Sequence, residues 1–196
     1  MRYISFLIFL LVSVLRMDAQ TPRSILDAVA AEYSKKGDTE IAFVMNNTNS
    51  GVIRLSGQKF NIETEGVNMW FNGKTLWAYV KENGEVNVTN PTQNDIAKIN
   101  PYAFVSMYKD GYSAAFGQTS ASTYHIVLNA TDAKKTFQQI DVYVDKANKR
   151  LESVKLTTRR TSMSIDVKSY KYKKFADAMF VFDKKQYPRV DVIDLR

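Results

Sequence analysis

Few residues in this sequence are of the types that usually carry out chemistry. It contains one histidine, His125, and no cysteine, whereas general-base catalysis needs a histidine with organised partners and metal sites need several ligands. Neither a G-x-S-x-G nucleophile motif nor a glycine-rich phosphate loop occurs. We therefore expect His125 to be an ordinary strand residue. We predict a protein that is not an enzyme and that holds no cofactor and no metal.

Most of the chain shows the two-residue alternation of half-buried strands, interrupted by Gly, Asn and Ser turns. Such regular short strands predict a meandering antiparallel sheet in a mainly β protein. The predicted strands are Ile41–Asn47, Val52–Ser56, Lys59–Thr64, Val67–Phe71, Thr75–Lys81, Glu85–Thr89, Tyr112–Gln118, Thr123–Asn129, Phe137–Asp145, Leu151–Arg160, Ser162–Lys173, Val181–Asp183 and Val190–Leu195.

Two segments carry helix signals instead. Thr21–Lys36 has one apolar stripe, with Ser24 as the predicted N-cap and Gly37 as the stop. A second, short helix is predicted within Gln93–Gly111, with Asn100-Pro101 at its start. This helix is apolar nearly all round, so it is covered on both sides or it lies over an apolar cavity. Its predicted lid residues are Tyr102, Phe104, Val105 and Met107.

The turns assign side chains to faces, because directly paired residues share a face of the sheet. Asn72-Gly73 predicts a two-residue type I′ loop, which places Phe71 opposite Lys74. A three-residue loop, Glu82-Asn83-Gly84, would place Val80 opposite Val86 and continue the apolar face without a break. With the preceding strand included, the predicted apolar face contains Phe60, Ile62, Val67, Met69, Phe71, Leu76, Ala78, Val80, Val86 and Val88.

The N terminus has the features of a secretory signal. Arg2 is followed by the apolar run Tyr3–Leu15, which is shorter than the roughly 20 residues of a membrane span, and Ala19 suits the position before cleavage. Without cysteine there is no lipid anchor site at the cleavage point and no disulfide. We expect residues 1–19 to be removed, leaving residues 20–196 as one exported domain.

Two surface features have alternative interpretations. The apolar face is buried either against a second sheet, as in a β-sandwich, or under helices that enclose a cavity for an apolar ligand. The basic run Lys171–Lys174, interleaved with Tyr170 and Tyr172, is either a solvated strand end or a docking site for an anionic membrane. The formal net charge of +7 suits either interpretation. Export disfavours a nucleic-acid partner.

The hairpin region resembles LolA, the periplasmic outer-membrane lipoprotein carrier. The similarity lies in a G-x-I-x-L motif, a strand with a phenylalanine, a D/N-G-K-x-L-W-x-Y hairpin and a lid segment that contains N-P. The C-terminal Tyr-Pro resembles a divergent branch of the family, typical of Bacteroidetes-type envelopes. These motifs are Gly51–Leu55, Lys59–Asn61, Asn72–Tyr79, Ile99–Tyr102 and Tyr187-Pro188.

The resemblance implies a curved antiparallel sheet that forms an unclosed half-barrel, covered by an N-terminal helix and a helical lid. It also implies a cavity for lipoprotein acyl chains. Such a monomeric carrier takes acylated lipoproteins from an ATP-driven inner-membrane release complex, crosses the periplasm and delivers them to an outer-membrane acceptor. The alternatives are a carrier or sensor of free lipids or glycolipids on the same fold, and a β-sandwich interaction protein.

One family feature is missing. The family arginine that helps to close the lid aligns near Gly57 here, and Arg54 is out of register with it, whereas Phe60 matches the family phenylalanine. The resemblance therefore implies that the lid of this protein closes without that arginine.

Overall fold

In the part of the chain that the structure describes, twelve strands form one continuous, curved and unclosed sheet. The computed structural model describes residues 20–92, 95, 96, 99 and 108–196. Helix α1 spans Pro22–Lys36. The strands are β1 (Thr39–Met45), β2 (Asn49–Ser56), β3 (Lys59–Thr64), β4 (Val67–Phe71), β5 (Leu76–Val80), β6 (Glu85–Thr89), β7 (Tyr112–Phe116), β8 (Thr123–Ala130), β9 (Gln139–Asp145), β10 (Leu151–Thr157), β11 (Ser162–Tyr172) and β12 (Asp191–Asp194).

The spatial order of the strands is β12-β6-β5-β4-β3-β2-β1-β11-β10-β9-β8-β7. All neighbouring pairs are antiparallel except β12 with β6, which is parallel. Two meanders therefore meet where β1 pairs with β11, and β12 and β7 form the edges. The predicted fold class is confirmed, and the β-sandwich alternative is wrong because all the strands of the described residues belong to a single sheet.

Helix α1 has nearly the predicted bounds but a different N-cap. Thr21, not Ser24, is the N-cap: its hydroxyl accepts a hydrogen bond from the Ser24 backbone N–H, and the Ser24 hydroxyl accepts one from the Thr21 N–H. Pro22 occupies the first turn, where no backbone donor is needed. Gly37, with φ of 77°, ends the helix as predicted.

A second helical segment begins with another capping arrangement. The Thr92 hydroxyl donates to the Asp95 carboxylate at 2.7 Å and accepts from the Asp95 backbone N–H at 3.3 Å. Asp95, Ile96 and Ile99 are helical, so helix lies upstream of the predicted N-cap Asn100. The predicted start and the lid residues lie outside the described residues, namely Asn100, Pro101, Tyr102, Phe104, Val105 and Met107.

The chain after β11 crosses the face of β3–β6 that carries Trp70, Val86 and Val88. The predicted strand Val181–Asp183 is wrong: a 3₁₀ turn, Asp177–Phe180, comes first and an irregular segment follows. Phe182 lies 5.5 Å from Trp70 between ring centroids, and Tyr187 lies 5.6 Å from Trp70. Aromatic burial therefore takes the place of strand pairing in this segment.

The two faces of the sheet differ in character. We call the face on which α1 packs the inner face, and the opposite one the outer face. On the outer face, Arg54 donates hydrogen bonds to Glu40 at 2.9 Å and to Asn61 at 2.7 Å, and it forms an ion pair with Glu63 at 2.8 Å. Lys173 approaches Glu40 at 3.3 Å. Arg54 therefore points away from the inner face and cannot act as the lid arginine of the family.

This ion-pair network predicts an acid-sensitive part of the stability. Burial alone would raise the pKa of Glu40, but hydrogen bonds and charges from Arg54 and Lys173 outweigh it and lower that pKa. A carboxylate with a lowered folded-state pKa stabilises the fold above its unfolded value, and that stabilisation is lost as the pH falls through the folded-state pKa. We expect Glu40→Gln to lower the free energy of unfolding at pH 7 by about 1–3 kcal/mol.

Urea unfolding between pH 7 and pH 3 tests this prediction. The difference between wild type and Glu40→Gln should shrink toward the acid end, because both then carry a neutral side chain. Glu65→Gln, in an exposed turn, is the control and should match wild type throughout. A difference that persists unchanged at acid pH would contradict an electrostatic origin.

Candidate functional site

The β4–β5 turn has four residues rather than the predicted two. Phe71 pairs with Leu76, not with Lys74. The side-chain oxygen of Asn72 accepts hydrogen bonds from the backbone N–H groups of Lys74 and Thr75, at 3.0 and 2.8 Å. The predicted pairing is therefore wrong by two residues. Since side chains alternate with a period of two, this shift leaves every residue on its predicted face.

The β5–β6 turn contradicts the prediction in a way that does change faces. Val80 pairs with Glu85, so residues 81–84 form the turn. A shift of one residue relative to the predicted pairing moves Val86 and Val88 to the outer face. There they are buried in a cluster with residues of the C-terminal segment. Their assignment to the apolar inner face is wrong.

The other eight predicted residues share the inner face. The pairings β3–β4 and β4–β5 place them there together, and the cross-strand partners Ile41, Ile53 and Ile165 continue the face through β2, β1 and β11. They are Phe60, Ile62, Val67, Met69, Phe71, Leu76, Ala78 and Val80. The sequence thus identified one continuous apolar surface on β3–β5, but not its continuation through β2, β1 and β11.

Helix α1 fills only half of the inner face. Ile25, Leu26 and Val29 are buried against β7–β11 in one core cluster. The half formed by β1–β5 has a separate cluster, to which Ile96 and Ile99 of the second helical segment contribute. The candidate site is this second half, because no residue of α1 belongs to its buried core.

Several partly exposed residues complete this surface and are not among the predicted cavity residues. Their shared property is that they pack against the second core cluster without being fully buried. They are Tyr33, Met45, Leu55, Met163, Val167 and Tyr170. Methionine side chains adapt readily to irregular apolar ligands. Alternation within each strand was visible, but nothing local indicates that β11 lies beside β1.

Phenylalanine rings pack closely at two places on this surface. Phe60 is fully buried, with its ring centroid 5.2 Å from that of Phe71. The Phe43 ring lies directly over Gly51, where an added Cβ would meet a ring carbon at 2.5 Å. The Glu63 carbonyl oxygen stands 3.0 Å from the same position. Glycine is therefore required here for space.

We expect Gly51→Ala to displace Phe43 into the inner face and to destabilise the fold by about 1–3 kcal/mol, the usual cost of overpacking. Thermal unfolding measures the loss. The matched control is Gly66→Ala, because no atom lies within 4 Å of a Cβ added there. A Gly51→Ala protein as stable as Gly66→Ala would show that the Phe43 ring is free to move.

The chain just before β7 is anchored to α1. The Tyr108 hydroxyl donates to the Asp27 carboxylate, and Lys109 lies 3.7 Å from the same carboxylate. Burial, together with the hydrogen bond and charge of Asp27, raises the pKa of Tyr108 to about 12. Tyr112 follows at the start of β7, and burial raises its pKa as well.

His125 has partners that the sequence argument missed. Its Nε2 lies 2.8 Å from Oδ1 of buried Asp141, and its ring stacks on Tyr143 with centroids 4.5 Å apart. Burial, and then the charge of Asp141, raise the pKa of Tyr143. Gln139 donates to the other Asp141 oxygen at 2.9 Å. These contacts join β8 to β9 on the outer face, away from the candidate site.

The described residues contain no group of three or more His, Asp or Glu side chains placed to hold a metal ion. Within the same residues, no helix is both long and apolar enough to cross a membrane.

This protein is similar to known proteins both in sequence and in fold. The family model of the outer membrane lipoprotein carrier protein LolA matches residues 12–160. No curated protein matches the sequence. An uncharacterised conserved protein from Thermus thermophilus has a similar structure, with a TM-score of 0.58 at 12% identity over 88% of this chain and 98% of that one.

More distant solved structures include a LolA superfamily protein from Nitrosomonas europaea, with a TM-score of 0.45 at 12% identity over 84% of this chain and 99% of that one. The lipoprotein LppX from Mycobacterium tuberculosis gives a TM-score of 0.45 at 10% identity over 79% of this chain and 96% of that one.

Proposed function

This chain belongs to the outer membrane lipoprotein carrier family LolA, and from that premise we propose that it is a periplasmic carrier of acylated lipoproteins. It shields their acyl chains against the inner face of β1–β5 and shuttles them from the inner to the outer membrane. One observation carries the proposal: the half of the inner face formed by β1–β5 is apolar, and no buried residue of α1 covers it.

The proposed acyl-binding residues are the eight residues that share the inner face, from Phe60 on β3 to Val80 on β5, without Val86 and Val88; the strand pairings support this choice. The lid that the sequence predicts, Tyr102 to Met107, is proposed to cover them. Members of this family are carriers, and no covalent step is required for such transfer. Burial of the acyl chains alone provides the binding free energy.

Affinity must be limited for the cargo to be delivered. Each buried methylene is worth about 0.8 kcal/mol, so complete enclosure of several acyl chains would make release too slow. An apolar lid that occupies the empty site competes with cargo and lowers the net affinity. We propose that the donor is an ATP-driven inner-membrane release complex, that the recipient is an outer-membrane acceptor, and that the carrier travels as a monomer.

Release of lipoproteins from membranes tests this function. Residues 20–196 are added to spheroplasts bearing newly made lipoproteins, and the soluble fraction is separated by gel filtration and probed for acylated protein. A soluble one-to-one complex supports the carrier. If no lipoprotein is released but mass spectrometry finds bound lipid, the protein carries free lipids or glycolipids. An empty protein would contradict both functions.

A further inference from the structure

One end of the inner face is lined by tyrosines that lie under cations. The Tyr124 ring has the ammonium groups of Lys146 and Lys149 both 4.9 Å from its centroid. Tyr124 lies at the start of β8, and the two lysines follow the end of β9. The backbone N–H of Lys146 donates to the Ser122 carbonyl at 2.8 Å and holds the two chain segments together.

The same arrangement recurs across the sheet at β11. The Arg150 guanidinium lies 5.5 Å from the centroid of Tyr170 and 5.3 Å from that of Tyr172. Lys36, at the end of α1, lies 5.7 Å from the Tyr172 centroid. We call these three tyrosines and four cations the basic rim: Tyr124, Tyr170, Tyr172, Lys36, Lys146, Lys149 and Arg150.

The rim cations have few acidic partners within the protein. Across the described part of the chain, no carboxylate lies within 4 Å of Lys146, Lys149 or Arg150. The neighbouring Asp145 carboxylate instead accepts backbone N–H groups, at 2.8 and 2.9 Å. Lys36 alone has an acidic partner, Glu32, at 3.6 Å. The ammonium groups of Lys146 and Lys149 donate instead to the backbone carbonyls of Ser120 and Lys146, both at 2.6 Å. These contacts orient the two lysines but leave their positive charge without a carboxylate to neutralise it.

The predicted basic run divides between the two faces. Tyr170 and Tyr172 belong to the inner face, whereas Lys171 and Lys173 approach Glu40 on the outer face, at 3.9 and 3.3 Å. The cations beside these tyrosines are Arg150 and Lys36 instead. The sequence indicated the right aromatic residues but not the right charges, because Arg150 reaches them only through the β10–β11 pairing.

The chemistry of the rim fits a lipid surface. Tyrosine rings are amphipathic and settle at the headgroup level of bilayers. Lysine and arginine beside them are attracted to anionic headgroups, with apolar stems lying along the surface. We propose that the basic rim docks this end of the half-barrel on an anionic bilayer. This docking rests on the proposed function, because it would bring the acyl-binding face to the membrane that supplies or receives cargo.

Vesicle cosedimentation tests the docking with the empty protein, residues 20–196. Vesicles of phosphatidylglycerol and phosphatidylethanolamine should bind the wild type, and vesicles of phosphatidylcholine should not. Raising the salt from about 50 to about 300 mM should weaken binding, because surface charges are screened. The triple variant Lys146→Glu, Lys149→Glu, Arg150→Glu should bind anionic vesicles at least tenfold more weakly.

The control changes the same number of charges at the opposite ends of the same strands. Lys134, Arg159 and Arg160 lie in the β8–β9 and β10–β11 connections, and their replacement by glutamate should weaken vesicle binding less than threefold. Equal losses in both triple variants would mean that net charge alone drives binding, and the rim would be excluded. Absence of wild-type binding to anionic vesicles would overturn the proposal as well, and would leave an acidic protein as the partner to seek.

A second variant and a second readout distinguish loss of folding, loss of docking and loss of carrier function. If the glutamate triple variant unfolds, Lys146→Gln with Lys149→Gln removes the two charges over Tyr124 with less disturbance, and a threefold or greater loss of binding is expected. Release of lipoproteins without vesicle binding would overturn the docking alone. Vesicle binding without release would overturn the carrier function and leave the docking intact.

Discussion

Met69→Asp is expected to lower lipoprotein loading at least tenfold while leaving a folded protein. Met69 lies in the middle of the inner face, between Ile62 on β3 and Ala78 on β5. It packs against the second core cluster without being fully buried. An unpaired carboxylate beside acyl chains must be desolvated when cargo binds, at a cost of several kcal/mol. A loss of only about 1.4 kcal/mol already corresponds to a tenfold change in affinity.

The matched control is Val52→Asp. Val52 is also half-buried in a central strand, but it faces outward into a depression that is lined in part by Lys81 and Lys168. A carboxylate there has water and cations nearby, so loading should stay within twofold of wild type. Loading is measured as lipoprotein released from spheroplasts, and thermal unfolding checks the fold. If both variants load equally well, the inner face is not the acyl-binding surface.

Phe180→Ala is expected to produce the largest loss of stability, about 3–5 kcal/mol. Phe180 is 0% exposed at the end of the 3₁₀ turn, and its ring packs at 6.0 Å from that of Phe175. Phe180 ends the turn that leads directly into the segment whose Phe182 and Tyr187 pack against Trp70, so its removal weakens the anchor of that segment. For a chain of this size, the midpoint of thermal unfolding should fall by about 6–20 °C.

Phe116→Ala provides the comparison, because Phe116 lies on the edge strand β7 and is 42% exposed. Its loss should cost less than about 1 kcal/mol. Below its unfolding temperature, the Phe180→Ala protein should still release lipoproteins, since the proposed acyl-binding surface is the inner face and Phe180 lies on the other side of the sheet. A loss of loading without a change in unfolding temperature would instead make the C-terminal segment part of the functional site. That segment lies beyond residues 12–160 that match the family model.

Two neighbouring hairpins show how far the sequence could be taken. At both turns the predicted loop is too short, yet only one error changes the site. The β4–β5 pairing is shifted by two residues and keeps all side chains on their faces, whereas the β5–β6 pairing is shifted by one and inverts Val86 and Val88. Continuity of the apolar face was the argument for a three-residue β5–β6 loop, and it was misleading because the outer face is also apolar there.

The composition of the candidate site was predicted in part. Strand alternation identified the inner-face residues of β3–β5, since each strand carries its own pattern. The contributions of Val167 and Tyr170 depend on the pairing of β11 with β1, two strands far apart in the chain. The basic rim depends in the same way on Arg150 meeting Tyr170 and Tyr172. Contacts of this kind leave no local signal.

The sequence by itself determined the class of strand-rich fold, the position of α1, most strand boundaries and the scarcity of catalytic residue types. These depend on local sterics, on periods of two and 3.6 residues, and on composition. Only the tertiary structure decided which face each strand presents after a turn of ambiguous length. Val86 and Val88 face outward because Val190 and the C-terminal aromatic residues bury them there. That burial comes from a segment at the other end of the chain, and its free energy outweighs the preference of a local turn.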